Sequence, residues 1–292
     1  MGPEKHDPVT GRMTTGHEWN GIEELDTPVP RVALFFLAAT ALFALGYWIL
    51  MPAWPLGTTY TRGLLGLDQR ETVTRQVAQA EAARAGWAER IEALDYDEVR
   101  ADPALMQIVA ETGHTLYGDN CAVCHGMSGT GGAGFPDLTA GAWLWGGDAE
   151  TIHETIRVGI NSGHDETRMS QMMAFGRDGV LERDQVRAVA AYVRSLSGQA
   201  MTAAEQARIE AGAEVFADNC ASCHGDDATG MVEVGAPDLT DDVWIYGGDA
   251  ASVQSSIHGG RQGHMPHWEG RLKPVDLKVL ALYVGTLGSD GE

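Results

Sequence analysis

Two stretches decide the fold: Asp119-Asn120-Cys121-Ala122-Val123-Cys124-His125-Gly126 and, 99 residues on, Asp218-Asn219-Cys220-Ala221-Ser222-Cys223-His224-Gly225. The chain has 292 residues and four cysteines, and these two stretches use all four. Cys-x-x-Cys-His is the attachment signal of c-type haem. Two thiols three residues apart reach the two vinyl groups of one porphyrin. The histidine that follows then lies below the iron and offers an imidazole nitrogen. A disulfide framework would scatter its cysteines more widely, and a zinc or thioredoxin-like site gives no reason for the whole unit to recur. Two covalently bound haem c groups are therefore expected, one on Cys121, Cys124 and His125, the other on Cys220, Cys223 and His224.

The repeat extends beyond the motifs. Pro136-Asp137-Leu138-Thr139 returns as Pro237-Asp238-Leu239-Thr240, and Trp143, Gly146, Gly147 and Asp148 return as Trp244, Gly247, Gly248 and Asp249. The offset has grown to 101, so the copies differ by a two-residue insertion. Val186, Val189, Ala190, Val193 and Leu196 form a helical apolar stripe. Leu280, Tyr283, Val284 and Leu287 form another, after Pro274, a favourable first-turn residue. A shorter helix precedes each motif, with a glycine four residues before an aromatic: Gly113 and Tyr117, Gly212 and Phe216. Such glycines admit a closely crossing second helix, and Tyr192 and Tyr283 suit those crossings. Glycine-rich stretches such as 129–134 read as loops wrapped over a prosthetic group that supplies the missing core.

A low-spin electron carrier needs a sixth ligand, and methionine sulfur raises the potential relative to histidine. In the second copy Met265 lies in Gly263-His264-Met265-Pro266, with His264 and His267 as competitors. In the first copy Met169, Met172 and Met173 compete, and spacing does not choose among them. His164 is a further competitor, although it reads rather as a solvated loop residue. Pro136 and Pro237 are placed to offer a carbonyl to the ring N–H of each proximal histidine. Trp143 and Trp244 read as core packing or as neighbours of a haem edge; His153 and His258 read as surface or structural.

Before the repeat, residues 32–51 form an uncharged apolar run of 20 residues, the length of a membrane-crossing helix. Tyr47, Trp48 and Trp54 suit an interface, and prolines 28, 30, 52 and 55 suit helix boundaries. About 30 polar, acidic residues precede the run, unlike a signal peptide, so an uncleaved anchor is expected. Lys5, Arg12 and Arg31 balance Arg62, Arg70 and Arg75, and charge does not orient the anchor. Haem attachment does: it implies a cytoplasmic N-terminus and periplasmic haem domains on a single-pass inner-membrane protein. From Asp68 to Leu94 the composition reads as a mostly solvated helix, a spacer or docking surface. The expected fold is all-α: residues 1–30 a cytoplasmic segment, 31–56 the anchor, 57–103 a helical linker, 104–198 and 199–292 two haem domains. A net charge of -21 excludes nucleic acid as a partner and favours basic ones.

These features together resemble the dihaem subunit III of cbb3-type cytochrome c oxidase, CcoP or FixP. The resemblance rests on Trp19-Asn20-Gly21-Ile22-Glu23-Glu24-Leu25-Asp26-Thr27-Pro28-Val29-Pro30, the anchor, Pro52-Ala53-Trp54-Pro55-Leu56, and the Pro-Asp-Leu and Trp-x-x-Gly-Gly-Asp segments beside the haem motifs. It implies two cytochrome c domains and a role in passing electrons from a donor cytochrome c, or from a cytochrome bc1 complex, to a monohaem cytochrome subunit. A haem-copper subunit then reduces oxygen and moves protons, so the chain itself is not expected to be the enzyme. The family's Gln-Met-Pro-Ala-Phe-Gly ligand motif matches Gln171-Met172-Met173-Ala174-Phe175-Gly176, which favours Met172 and leaves Met173 open. Whether each methionine serves its own copy or the other is also left open. A dihaem peroxidase would need an openable sixth position, against which a methionine candidate in both copies argues.

Overall fold

Asn20 and Gly21 carry the chain through left-handed backbone, φ 53° and 87°, as the commonest two-residue hairpin turn requires. They join β1 (Thr14–Trp19) to β2 (Ile22–Leu25), antiparallel, with Trp19 opposite Ile22. The computed structural model describes residues 5–288, divided into two compact units, Met1–Ala83 and Arg84–Glu292. In the first unit α1 (Arg31–Leu50) begins after Pro30, has no buried residue, and reaches a mean hydropathy of 2.1. It is long and apolar enough to cross a bilayer.

Helix α2 (Gln69–Ala93) starts largely solvated, as its composition suggests. Its end is not solvated. In the second unit Trp87, Ala88, Ile91 and Leu94 pack into a core, with Ile91 fully buried, and Arg84 pairs with the buried carboxylate of Asp276. The spacing 84, 87, 88, 91 is a helical stripe that average composition conceals.

The remaining helices are α3 (Tyr96–Ala101), α4 (Pro103–Asn120), α5 (Ala122–His125), α6 (Ala149–Val158), α7 (Arg183–Leu196), α8 (Ala203–Gln206), α9 (Ile209–Asn219), α10 (Ala221–His224), α11 (Ala250–Gly259) and α12 (Pro274–Val284). Aspartates start four of them. Asp95 accepts from the N–H of Glu98 at the head of α3. Asp102 accepts from the N–H groups of Ala104 and Leu105, Asp148 from Thr151, and Asp249 from Ala251 and Ser252. Together with the candidate membrane helix, this is a mostly helical protein with one minor hairpin.

The two copies do not close their cores separately. Helix α12, at the end of the second copy, packs on α4 and α6 of the first; α7, at the end of the first, packs on α9 and α11 of the second. Both crossings use the glycines singled out in the sequence. A Cβ on Gly113 would sit 2.6 Å from the Cβ of Tyr283, and one on Gly212 would sit 2.2 Å from the Ala188 carbonyl oxygen and 2.8 Å from the Tyr192 Cβ. The chain changes sides at a matched pair of glycines. Gly159 (φ 70°) lies against the Met265 carbonyl and Gly260 (φ 71°) against that of Met172, each so close that a Cβ would fall within 2.6 Å of the oxygen. Antiparallel bridges Ile160–Met265 and Met172–Arg261 form the seam.

Candidate haem sites

Each haem motif is built the same way. Helix α4 ends at Asn120, the Cys121 N–H bonds the Tyr117 carbonyl, and the single turn of α5 carries Cys124 and His125. The α9–α10 junction repeats this with Phe216, Cys220, Cys223 and His224. Gly131 N–H bonds the His125 carbonyl and Gly230 N–H that of His224, folding each following loop back under its histidine. The Pro136 carbonyl lies 3.1 Å from His125 Nδ1, and the Pro237 carbonyl 3.1 Å from His224 Nδ1, the arrangement expected of these prolines. A carbonyl only accepts, so Nδ1 carries the proton and Nε2 keeps its lone pair for a metal. Burial holds both imidazoles below the usual histidine range, opposed by those same carbonyls. They are therefore neutral, the form that ligates. Burial pushes the Cys121 and Cys220 thiols up to about 11, so neither is a free thiolate at neutral pH.

The methionines lie across the seam from their own motifs. Met265 packs against the core of Tyr117, Ile152, Leu277 and Leu280, together with Cys121, Leu138 and Trp143. Met172 packs against the core of Val189, Phe216, Val253 and Ile257, together with Cys220, Leu239 and Trp244. Met169 and Met173 are 68% and 55% exposed, because the bridge to Arg261 turns Met172 inward and its neighbours out. His264 is engaged with the Asn161 carbonyl at 2.9 Å. His164 is not the solvated loop residue its position suggests: only 14% exposed, it bonds Glu269 at 2.7 Å and its ring lies 5.5 Å from that of His267. His153 packs beside Tyr96, and His258 is exposed.

A cavity of about 630 Å³ is lined by both motifs, both prolines, Met172 and Met265. Buried donors without a protein partner stand around the cores: the indole Nε1 of Trp145 and of Trp244, Arg168 Nε and the Tyr117 hydroxyl. Such groups are costly unless something accepts from them, and the carboxylates of a haem are suitable acceptors. Arg168 stacks over Trp145 at 5.0 Å and Arg261 over Tyr246 at 4.3 Å. The residues present therefore fit haem c. Trp145, Tyr246 and the two arginines were not singled out in the sequence. The signal was there: Trp145 and Tyr246 each follow the repeated tryptophan by two residues, at the same 101-residue offset.

Comparison with known proteins agrees along the whole chain. Residues 11–58 match the family described as the N-terminal domain of cytochrome oxidase-cbb3, FixP; residues 110–197 match cytochrome c; residues 207–284 match cytochrome c oxidase, cbb3-type, subunit III. The cbb3-type cytochrome c oxidase subunit FixP of a Bradyrhizobium species is 46% identical, with 97% of each chain covered. Subunit CcoP of Cereibacter sphaeroides is 45% identical over 94% of each chain, and FixP of Azorhizobium caulinodans 44% identical over 97% of this chain and 96% of that one. The haem motifs, the apolar N-terminal helix and this identity over nearly the full length lead to one conclusion: the chain belongs to the CcoP/FixP family, the membrane-anchored cytochrome c subunits that carry electrons in cbb3-type cytochrome c oxidases.

Proposed function

We propose that this subunit holds two haem c groups in two composite sites and relays electrons singly from a donor to the other oxidase subunits. Cys121 and Cys124 would hold the first, with His125 and Met265 as its ligands. Cys220 and Cys223 would hold the second, with His224 and Met172 as its ligands. The observation that carries this reading is the packing of each methionine into the core that bears the other copy's cysteines. Haem c supplies a one-electron ferric/ferrous couple. The chain's own residues fix the conditions for it. Pro136 and Pro237 hold the imidazoles in one tautomer, and thioether sulfur favours the reduced metal.

With a histidine and a methionine to ligate each haem, the chain would leave no open position for oxygen. Oxygen reduction and the associated proton movement therefore belong to a haem-copper partner subunit, reached through a monohaem cytochrome subunit. The anchor crosses the inner membrane once, with the hairpin segment cytoplasmic and the haem region periplasmic. A basic donor, a cytochrome c or the cytochrome bc1 complex, suits a chain of net charge -21. The test is stopped-flow reduction of the purified oxidase complex by a basic cytochrome c between low and high salt. The bimolecular rate should fall steeply as screening sets in over the Debye length. A rate that is flat or rises with salt would refute the basic donor, and a sixth position that binds oxygen in the reduced subunit would refute the relay.

A further inference from the structure

Resting on the ligation just proposed, we infer that Asn161 is a positioning residue for both axial methionines at once. Asn161 follows Ile160, whose backbone bridges Met265 through two hydrogen bonds of 2.9 Å. It holds a left-handed conformation, φ 48°, which asparagine tolerates better than most residues. All its polar groups are engaged. The side-chain Nδ2 donates to the Ser170 carbonyl at 2.7 Å and to the Gly263 carbonyl at 2.7 Å. Oδ1 accepts from the Ser170 N–H at 3.1 Å. The backbone N–H donates to the Arg168 carbonyl at 2.8 Å, and the backbone carbonyl faces His264 Nδ1 at 2.9 Å.

Ser170 stands two residues before Met172, and Gly263 two residues before Met265. One carboxamide therefore clips together the two loops that present the two sulfurs, each loop otherwise free of helix or extended sheet. The matching position in the second copy is Gln262, which is exposed. The pseudo-symmetry of the repeat is broken here, and the clip is single. A loop freed from it loses one or two hydrogen bonds, enough to raise the fraction of displaced sulfur about tenfold. The effect appears at both haems although the hydrogen bonds of Asn161 run to Ser170, Gly263, Arg168 and His264 and not to a methionine.

The experiment is imidazole titration of the oxidised full-length subunit, following the sulfur–iron absorption band, on Asn161→Asp and Asn161→Gly. Aspartate keeps size and shape and removes both donors; glycine keeps the left-handed backbone and removes the side chain, so failure of either to fold leaves the other. Both variants are expected to bind imidazole about tenfold more tightly at both haems, with both reduction potentials lowered. Val99→Ala, in the core of Ile91, Leu105 and Val279 that neither methionine joins, is the control for general destabilisation and is expected to leave both affinities unchanged. A shift at one haem only, at neither, or equally in Val99→Ala overturns the inference. Met172→Ala and Met265→Ala run alongside. If either leaves the band intact, the ligation reading itself fails and takes this inference with it; if each removes one component while the Asn161 variants do nothing, only the clip is refuted.

Discussion

Replacing Gly212 by alanine perturbs the second core where the structure allows least movement. An ordinary Cβ contact lies at 3.4–4 Å, and the new methyl would lie 2.2 Å from the Ala188 carbonyl oxygen and 2.7 Å from its carbon. Both obstacles are backbone of α7, so the helices must separate by about an ångström. Overpacking of this kind costs about 1–3 kcal/mol, and the backbone obstacle puts this position at the upper end, about 3. Alanine returns about 1 kcal/mol of helix propensity, leaving a net loss of about 2 kcal/mol. At Gly113 the obstacle is the Tyr283 side chain, 2.6 Å away at its Cβ, which yields by a rotation of α12, and the net loss is about 1 kcal/mol. For a unit of this size 1 kcal/mol moves Tm by about 2–4 °C. Calorimetry of the holoprotein should show Gly212→Ala melting about 4–8 °C low and Gly113→Ala about half as far. Unchanged or raised melting in Gly212→Ala would show that α7 and α9 do not cross as described.

Arg194 is 7% exposed and bonds the Gly248 carbonyl at 3.1 Å, the Ala200 carbonyl at 2.8 Å and the Glu205 carboxylate. Arg194→Ala leaves those acceptors without their donor and should cost about 3 kcal/mol in chemical denaturation; Arg194→Lys, without the planar fork, should recover less than half of it. The cap carboxylates set the acid limit. Hydrogen bonds from Thr151 hold Asp148 below its ordinary value of 3.8, those from Ser252 do so for Asp249, and those from Leu105, Ala104 and Arg90 for Asp102. Their folded-state values are depressed, so their stabilisation is complete above pH 3.8 and is lost as pH falls below it. Helical circular dichroism should accordingly hold down to about pH 4 and then fall, with the triple Asp→Asn variant showing a weaker acid dependence over that window.

What was legible in the sequence is local. Cys-x-x-Cys-His declares its chemistry within five residues. The α7 stripe and Pro274 mark two helices, and the prolines before and after the apolar run mark α1. Gly113 and Gly212 announced helix crossings. Their partners were not legible, because a repeat offers two solutions with identical local signals: α7 or α12 satisfies α4 equally well in pattern, and only the course of the loops at Gly159 and Gly260 decides. The same non-local choice hid the methionine pairing. Met172 and Met173 stand side by side in a loop with no periodicity, and a bridge to Arg261 in the other copy selects which faces inward. Two other features were legible and passed over. Asn20-Gly21 between Trp19 and Ile22 is a hairpin signal, and Trp87 with Ile91 is a buried stripe that the charged residues around it masked.

The most direct test of the exchanged sites is to leave one haem and ask which sulfur it uses. In Cys220→Ala/Cys223→Ala the full-length subunit should carry a single haem c on Cys121 and Cys124. Met265→Ala in this background should abolish the sulfur–iron band and Met172→Ala should leave it. If Met172→Ala abolishes it instead, each copy supplies its own sulfur and the composite architecture is wrong.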